Sequence, residues 1–250
     1  LVGSEMCIRD RPKVTAPTYE LELPSSGKKV KYRPFLVKEE KILLIAMDSK
    51  DEKQITQAVI DTLGSCIITR GIKPASLPSF DLEYLFLRIR AASVGEVVTL
   101  NVTCLDDNKT QVSHDLNLSD VEVFKPEGHD PKVMITDKVG VIMKYPSIEH
   151  FINTGLADNS DAMDGLDFIV SCVDQIFEGE EVTEAKECTK KELANFVESM
   201  TQEQFDKLSK FFETMPKLQH TFKVKNPKTK KESEYTISGL QSFSHSTLPY

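Results

Sequence analysis

From Tyr19 to Leu23 polar and apolar residues alternate, the pattern of a strand with one face covered. Ser25-Ser26-Gly27 is turn chemistry. From Lys28 to Phe35 the alternation resumes, with Val30, Tyr32 and Pro34 on one side and Lys29, Lys31 and Arg33 on the other, which predicts a β-hairpin. Pro34 has no N–H to give a ladder, so the strand ends there or lies at an edge. The period then becomes helical. Val37, Ile42, Leu43, Leu44 and Ala46 form an apolar face, with Lys38, Glu39, Glu40 and Lys41 outside. Asp51 or Ser49 caps a second helix reaching about Thr69, whose stripe is Ile55, Val59, Leu63, Cys66 and Ile67. Gly71, Pro74 and Pro78 break the chain. Ser79 caps a third helix, Phe80 to Ala92, with Leu82, Leu85, Phe86 and Ile89 inward. Three helices with short breaks between them predict one shared core.

Val98, Leu100, Val102 and Cys104 alternate with polar residues, and so do Val112, His114, Leu116 and Leu118, with Asp106 to Lys109 as the turn. Lys132 to Thr136 and Gly140 to Lys144 predict another strand pair around Asp137-Lys138. After Pro146 the pattern reads as helix: Ser147 to Ile152, Ala162 to Phe177, Lys190 to Met200 and Gln202 to Thr214. Thr189 with Glu192 and Thr201 with Gln204 fit capping boxes. The acidic stretch Glu178 to Glu187 reads as a solvated loop. Phe222 and Val224, then Tyr235 and Ile237, flank a basic hairpin tip at Asn226 to Lys231, and Gly239 to Phe243 reads as one helical turn.

The expected fold is α+β: an N-terminal β-hairpin, three helices and an antiparallel β region, then a helical block and a C-terminal β-hairpin. The expected division is an α+β domain over 13–145, a helical region over 146–216 and the C-terminal hairpin, 217–250, packing on it, with 126–131 and 153–161 as hinges. Leu1 to Arg11, LVGSEMCIRDR, looks like a translated sequencing-adapter fragment, or else a disordered tail, so 1–12 are set aside. That stretch lacks the basic start and apolar run of a signal peptide.

Composition narrows the function. A net charge of -8 disfavours general nucleic-acid binding, which needs a basic field. No apolar run reaches the roughly 18 residues of a membrane helix. Cys66, Cys104, Cys172 and Cys188 are far apart and unpaired in pattern, and read as buried free thiols. Neither a G-x-S-x-G elbow nor a G-x-x-x-x-G-K-S/T phosphate loop occurs. Cys104, Asp106, Asp107 and His114 share one hairpin, too few thiols and imidazoles for an ordinary zinc site. A Cys-dependent hydrolase would need a base beside Cys66, Cys172 or Cys188. Glu39-Glu40 and Glu180-Glu181 read as solvated surface, and Lys228, Lys230 and Lys231 as a solvated tip. The expectation is therefore no catalytic residue, cofactor, metal or small-molecule substrate.

Several blocks resemble the baseplate hub and assembly proteins of T-even-type phages. They are Thr18-Tyr19-Glu20-Leu21, the Arg33-Pro34-Phe35 stretch with Val37-Lys38-Glu39-Glu40-Lys41, Phe80 to Ala91 (FDLEYLFLRIRA), and Lys225-Asn226-Pro227 with Gly239-Leu240-Gln241. The resemblance implies a structural or assembly component of a contractile-tail baseplate whose partners are other baseplate and tail proteins. It also implies a CxxC zinc knuckle at the middle hairpin, where this chain reads Cys104-Leu105-Asp106-Asp107, with one cysteine. The competing class is a regulatory or chaperone-like binding protein outside the virion. The expected contact surface joins the hairpin's Lys29, Lys31 and Arg33 to Lys38, Glu39 and Lys41, and reversing Lys31 and Arg33 is expected to leave stability nearly unchanged.

Overall fold

A computed structural model of the chain describes residues 15–150 and 162–239. The adapter-like 1–12 segment, the end of the helix expected at Ser147–Ile152, the 153–161 hinge and most of the final helical turn lie outside the described residues.

The N-terminal hairpin is present, with β1 (Tyr19–Glu22) antiparallel to β2 (Lys29–Tyr32). Its turn is pinned from outside. Ser25 donates its backbone N–H (3.0 Å) and its hydroxyl to the carboxylate of Asp81, which is buried in the first turn of α3. Three helices follow: α1 (Val37–Asp48), α2 (Glu52–Cys66) and α3 (Ser79–Val94). Asp51 is the N-cap of α2, accepting from the N–H groups of Lys53 and Gln54. Val30, Leu43, Leu63, Cys66, Leu82, Leu85, Phe86 and Ile89 form the shared core expected of these elements.

α3 is buried on two sides. Leu87 leaves the first core for a second one, made with β3 (Val97–Thr103), β4 (Gln111–Asn117) and β10 (Lys217–Lys225). A helix serving two cores is apolar nearly all round. β10 pairs with β11 (Glu232–Ser238) as expected, and on its other edge with β5 (Glu122–Phe124), a short strand that the sequence pattern does not announce.

The region after Pro146 departs from expectation. The predicted helix Ala162 to Phe177 is cut short. α4 runs Ala162–Ser171, and β8 (Val173–Glu178) follows as a strand. The acidic stretch is no plain loop: Glu181–Glu184 forms β9, and 185–187 a single 3-10 turn. With β6 (Lys132–Met134) and β7 (Val139–Met143) these make one antiparallel sheet in the order β6-β7-β8-β9. The misreading has a physical source. Val173, Ile176 and Phe177 recur at three- and four-residue steps, so they fit a helix stripe as well as a strand. Tertiary pairing decides: Val141 faces Ile176 and Gly140 faces Phe177 across the ladder. Pairing thus joins β7, before Pro146, to β8, after it. α4, α5 (Lys190–Glu198) and α6 (Gln202–Glu213) pack over this sheet around Val141, Val173, Leu193, Leu208 and Phe211.

An aromatic chain links the layers. Tyr145 meets Phe80 of α3 edge-on at 5.0 Å and stacks on His129 and Phe211. His129 is buried with both ring nitrogens occupied, Nδ1 3.0 Å from Thr214 Oγ1 and Nε2 2.9 Å from Tyr145 Oη.

Candidate interaction surface

The six residues expected to form one surface are placed in two different ways. Lys29, Lys31, Lys38 and Lys41 are exposed. The hairpin face is not a basic one, however. The register sets Glu20 opposite Lys31 and Glu22 opposite Lys29, and Lys29 lies 3.6 Å from Glu20 and 3.9 Å from Glu22. Each lysine thus has a carboxylate at hand, and solvent-exposed pairs of this kind contribute little to stability. The outer edge of β2 is also occupied. Ile68 N–H donates to Lys31 O at 2.8 Å, and Lys31 N–H to Thr69 Oγ1 at 2.8 Å.

Arg33 and Glu39 point inward and belong to the fold. The Glu39 side chain is 4% exposed and that of Arg33 is 19%. Arg33 donates to Glu39 at 3.0 Å and to the carbonyls of Pro34 and Ser65, tying β2 to α1 and to the end of α2. The second Glu39 oxygen accepts the Leu36 N–H at 2.7 Å, satisfying one of the orphan donors at the start of α1. Burial acts to raise the Glu39 carboxyl pKa, but the hydrogen bonds from Arg33 and Leu36 prevail and hold it below the ordinary value. Reversal of Arg33 therefore attacks the core. The signal in the sequence was the position of Glu39, the third residue into the helix, from which its carboxylate reaches back to the N-cap.

α1 is turned differently from the apolar face read in the sequence. Leu43 and Ala46 are buried, but Val37 is 83% exposed, Ile45 61%, Ile42 51% and Leu44 38%. Lys38 and Lys41 lie among them. Lys38 reaches Glu39 at 3.3 Å, whereas Lys41 has no ion pair among the described residues. α1 is aliphatic on both its inner and its outer side, as a helix does when it is to be covered twice.

A family model described as T4 bacteriophage base plate protein matches residues 16–244, which covers the hairpin and every described helix and sheet. The chain belongs to this family. No curated protein and no solved structure matches it. Among the described residues, no helix of this baseplate-family protein is long and apolar enough to cross a membrane.

The turn where a zinc knuckle would sit has another occupation. Asp107 accepts the N–H groups of Lys109 and Thr110 and the Thr110 hydroxyl, and the Thr110 bonds hold its carboxyl well below the ordinary range. Asp106 accepts from Asn226 Nδ2 at 2.9 Å and from the Thr229 hydroxyl, both on the β10–β11 tip. Tyr235 Oη donates to Thr103 O and accepts the Leu105 N–H. Asp107 is spent holding its own turn and Asp106 clasping the two hairpin tips together, and burial pushes the lone Cys104 thiol up. His114 of β4 stacks at 4.4 Å on Phe222 of β10, a strand of another sheet. These residues do not fit a tetrahedral zinc, and among the described residues no group of three or more His, Cys, Asp or Glu side chains could hold a metal ion.

Proposed function

We propose that the protein is a structural or assembly component at the centre of a contractile-tail baseplate, a hub subunit or hub assembly factor, that acts through protein contacts and not through chemistry. The family match over residues 16–244 carries this reading. The doubly aliphatic α1 supports it, because exposed aliphatic side chains on a charged helix are a contact face in need of a cover. The thiols fit the same reading. Burial pushes Cys66 and Cys172 up to about 11, so both stay protonated near neutrality, the opposite of an activated nucleophile.

The test is co-elution of the full chain with each tail and baseplate protein encoded beside its gene, with metal content read on the same peak. A stable complex with a hub protein, free of stoichiometric zinc, is expected. A chain that captures none of them would return the regulatory or chaperone-like reading to the front.

A further inference from the structure

α1 is patterned along its length as well as around it. Its outward ridge runs Val37, Lys41, Leu44, Ile45, Asp48, with Lys38 and Ile42 beside it. Val37 opens the ridge, the cations Lys38 and Lys41 follow in the N-terminal half, Ile42, Leu44 and Ile45 lie in the middle, and the carboxylate of Asp48 is at the C-terminal end. From Lys41 to Asp48 the series, read backwards, is its own complement.

We propose that this ridge is covered by α1 of a second copy of the chain, running antiparallel about a two-fold axis between Leu44 and Ile45. The inference rests on the reading of the ridge as a protein-contact face and names its occupant. In this register Leu44 meets Ile45 of the second copy and Lys41 meets Asp48. An isologous interface requires such self-complementarity. A parallel arrangement would set Lys41 against Lys41 and Asp48 against Asp48, so charge selects the antiparallel one. Lys41, which has no ion pair among the described residues, gains a carboxylate. A 12-residue helix is only about 18 Å long, so one helix pair falls short of a standard interface and the dimer is a weak one.

Sedimentation of the full chain from low micromolar to submillimolar concentration tests the pairing. A concentration-dependent dimer is expected, weakened at high salt. Lys41→Asp and Asp48→Lys each act twice across the two-fold axis and should each raise the dissociation constant by roughly tenfold. The double exchange, K41D with D48K, should restore it, and Ile45→Asp should abolish the dimer, with circular dichroism confirming that each variant is folded. A chain monomeric throughout, a dimer indifferent to the single reversals, or a double variant no better than the singles overturns the pairing. The co-elution mixtures separate this from the baseplate reading. A monomer that still binds a tail protein sinks the pairing alone, and a dimer that binds no tail protein sinks the baseplate reading alone. If Ile45→Asp destroys a complex with a tail protein and leaves the oligomeric state untouched, the ridge belongs to that protein and the pairing fails.

Discussion

α1 and the α5–α6 pair show opposite ways to build a surface helix. On α5 and α6 the aliphatic and aromatic side chains, Leu193, Val197, Leu208 and Phe211, are buried, while Lys190, Lys191, Glu198, Glu203, Asp206 and Lys210 face water. Both helices open on a complete capping box, at Thr189 and at Thr201. α1 does the reverse at several positions. It buries a carboxylate, Glu39, against Arg33 and leaves Val37, Ile42 and Ile45 in solvent. α5 and α6 are complete once they have packed on their sheet. α1 keeps an aliphatic outer side in solvent, and that side is the contact face of the proposed reading.

The largest test of this contrast is Arg33→Glu. It would leave Glu39 buried beside a second carboxylate and empty the hydrogen bonds to Pro34 O and Ser65 O. Breaking one partner of a buried pair costs about 3–5 kcal/mol, and Arg33 is partly exposed, so the expected loss is near the lower end. Lys31→Glu, two residues away on an exposed face, should change stability by less than about 0.5 kcal/mol. Urea unfolding of both variants measures the two effects side by side. Equal losses would mean that Arg33 is as dispensable as its neighbour and that α1 has no charged anchor.

A second test strikes the sheet under α5 and α6. Gly140 lies in β7 opposite Phe177, and a Cβ placed there would run into the Phe177 ring and come within 2.9 Å of Val133 O. Gly140→Ala should cost about 1–3 kcal/mol by overpacking. Gly140→Ala together with Phe177→Leu should recover part of that loss. If Gly140→Ala alone is neutral in thermal unfolding, Phe177 does not cross β7 as described.

A smaller effect is expected from Thr201→Ala, which removes the hydroxyl that accepts the Gln204 N–H at the start of α6. Losing such a cap costs about 1 kcal/mol. No equivalent cap exists on α1, where the N-cap is Leu36 and the work falls to Glu39.

The same contrast explains how far the sequence could be read. The hairpins β1–β2, β3–β4 and β10–β11 and the bodies of α2 and α3 follow from alternation, helical stripes, turn residues and the Asp51 cap, all of them local signals, whereas Ser79 is no cap: it is the first residue of α3, and Pro78 stands at the N-cap with no side-chain bond. β8 was hidden because Val173, Ile176 and Phe177 satisfy two periods, and only their partners on β7 choose between them. β5 is three residues long, too short for any period. The orientation of α1 was illegible for the opposite reason: with aliphatic residues all round, several stripes fit equally well. Composition made Glu39 look like surface, and its inward turn depends on Arg33, six residues earlier and in a different element.

The least drastic test is a change of pH, and it acts on the aromatic chain that runs from α6 through Tyr145 to α3. His129 sits among Tyr145, Phe211 and Thr214. Burial lowers its pKa, nearby Lys125 adds to the effect, and Asp130 opposes it. Thr214 Oγ1 donates to Lys210 O, so His129 Nδ1–H donates to Thr214, and neutral Nε2 accepts from Tyr145 Oη. A second proton would go to Nε2, where it meets the Tyr145 hydroxyl in a buried site. The unfolded chain takes that proton near the ordinary histidine pKa of about 6.5, and the folded chain takes it only at lower pH. Stability is therefore full above about pH 6.5 and declines as the pH falls toward the depressed folded value. His150, which burial also lowers, pulls in the same direction. Thermal melts taken between about pH 8 and pH 5.5, a window above the ordinary carboxylate range, should show a falling midpoint for the native chain. His129→Gln keeps a polar group of similar reach without a charge to gain, so its slope should be shallower while its midpoint at the alkaline end is already lower. An unchanged slope would mean that His129 holds a proton as readily folded as unfolded, and that the aromatic junction is open to water.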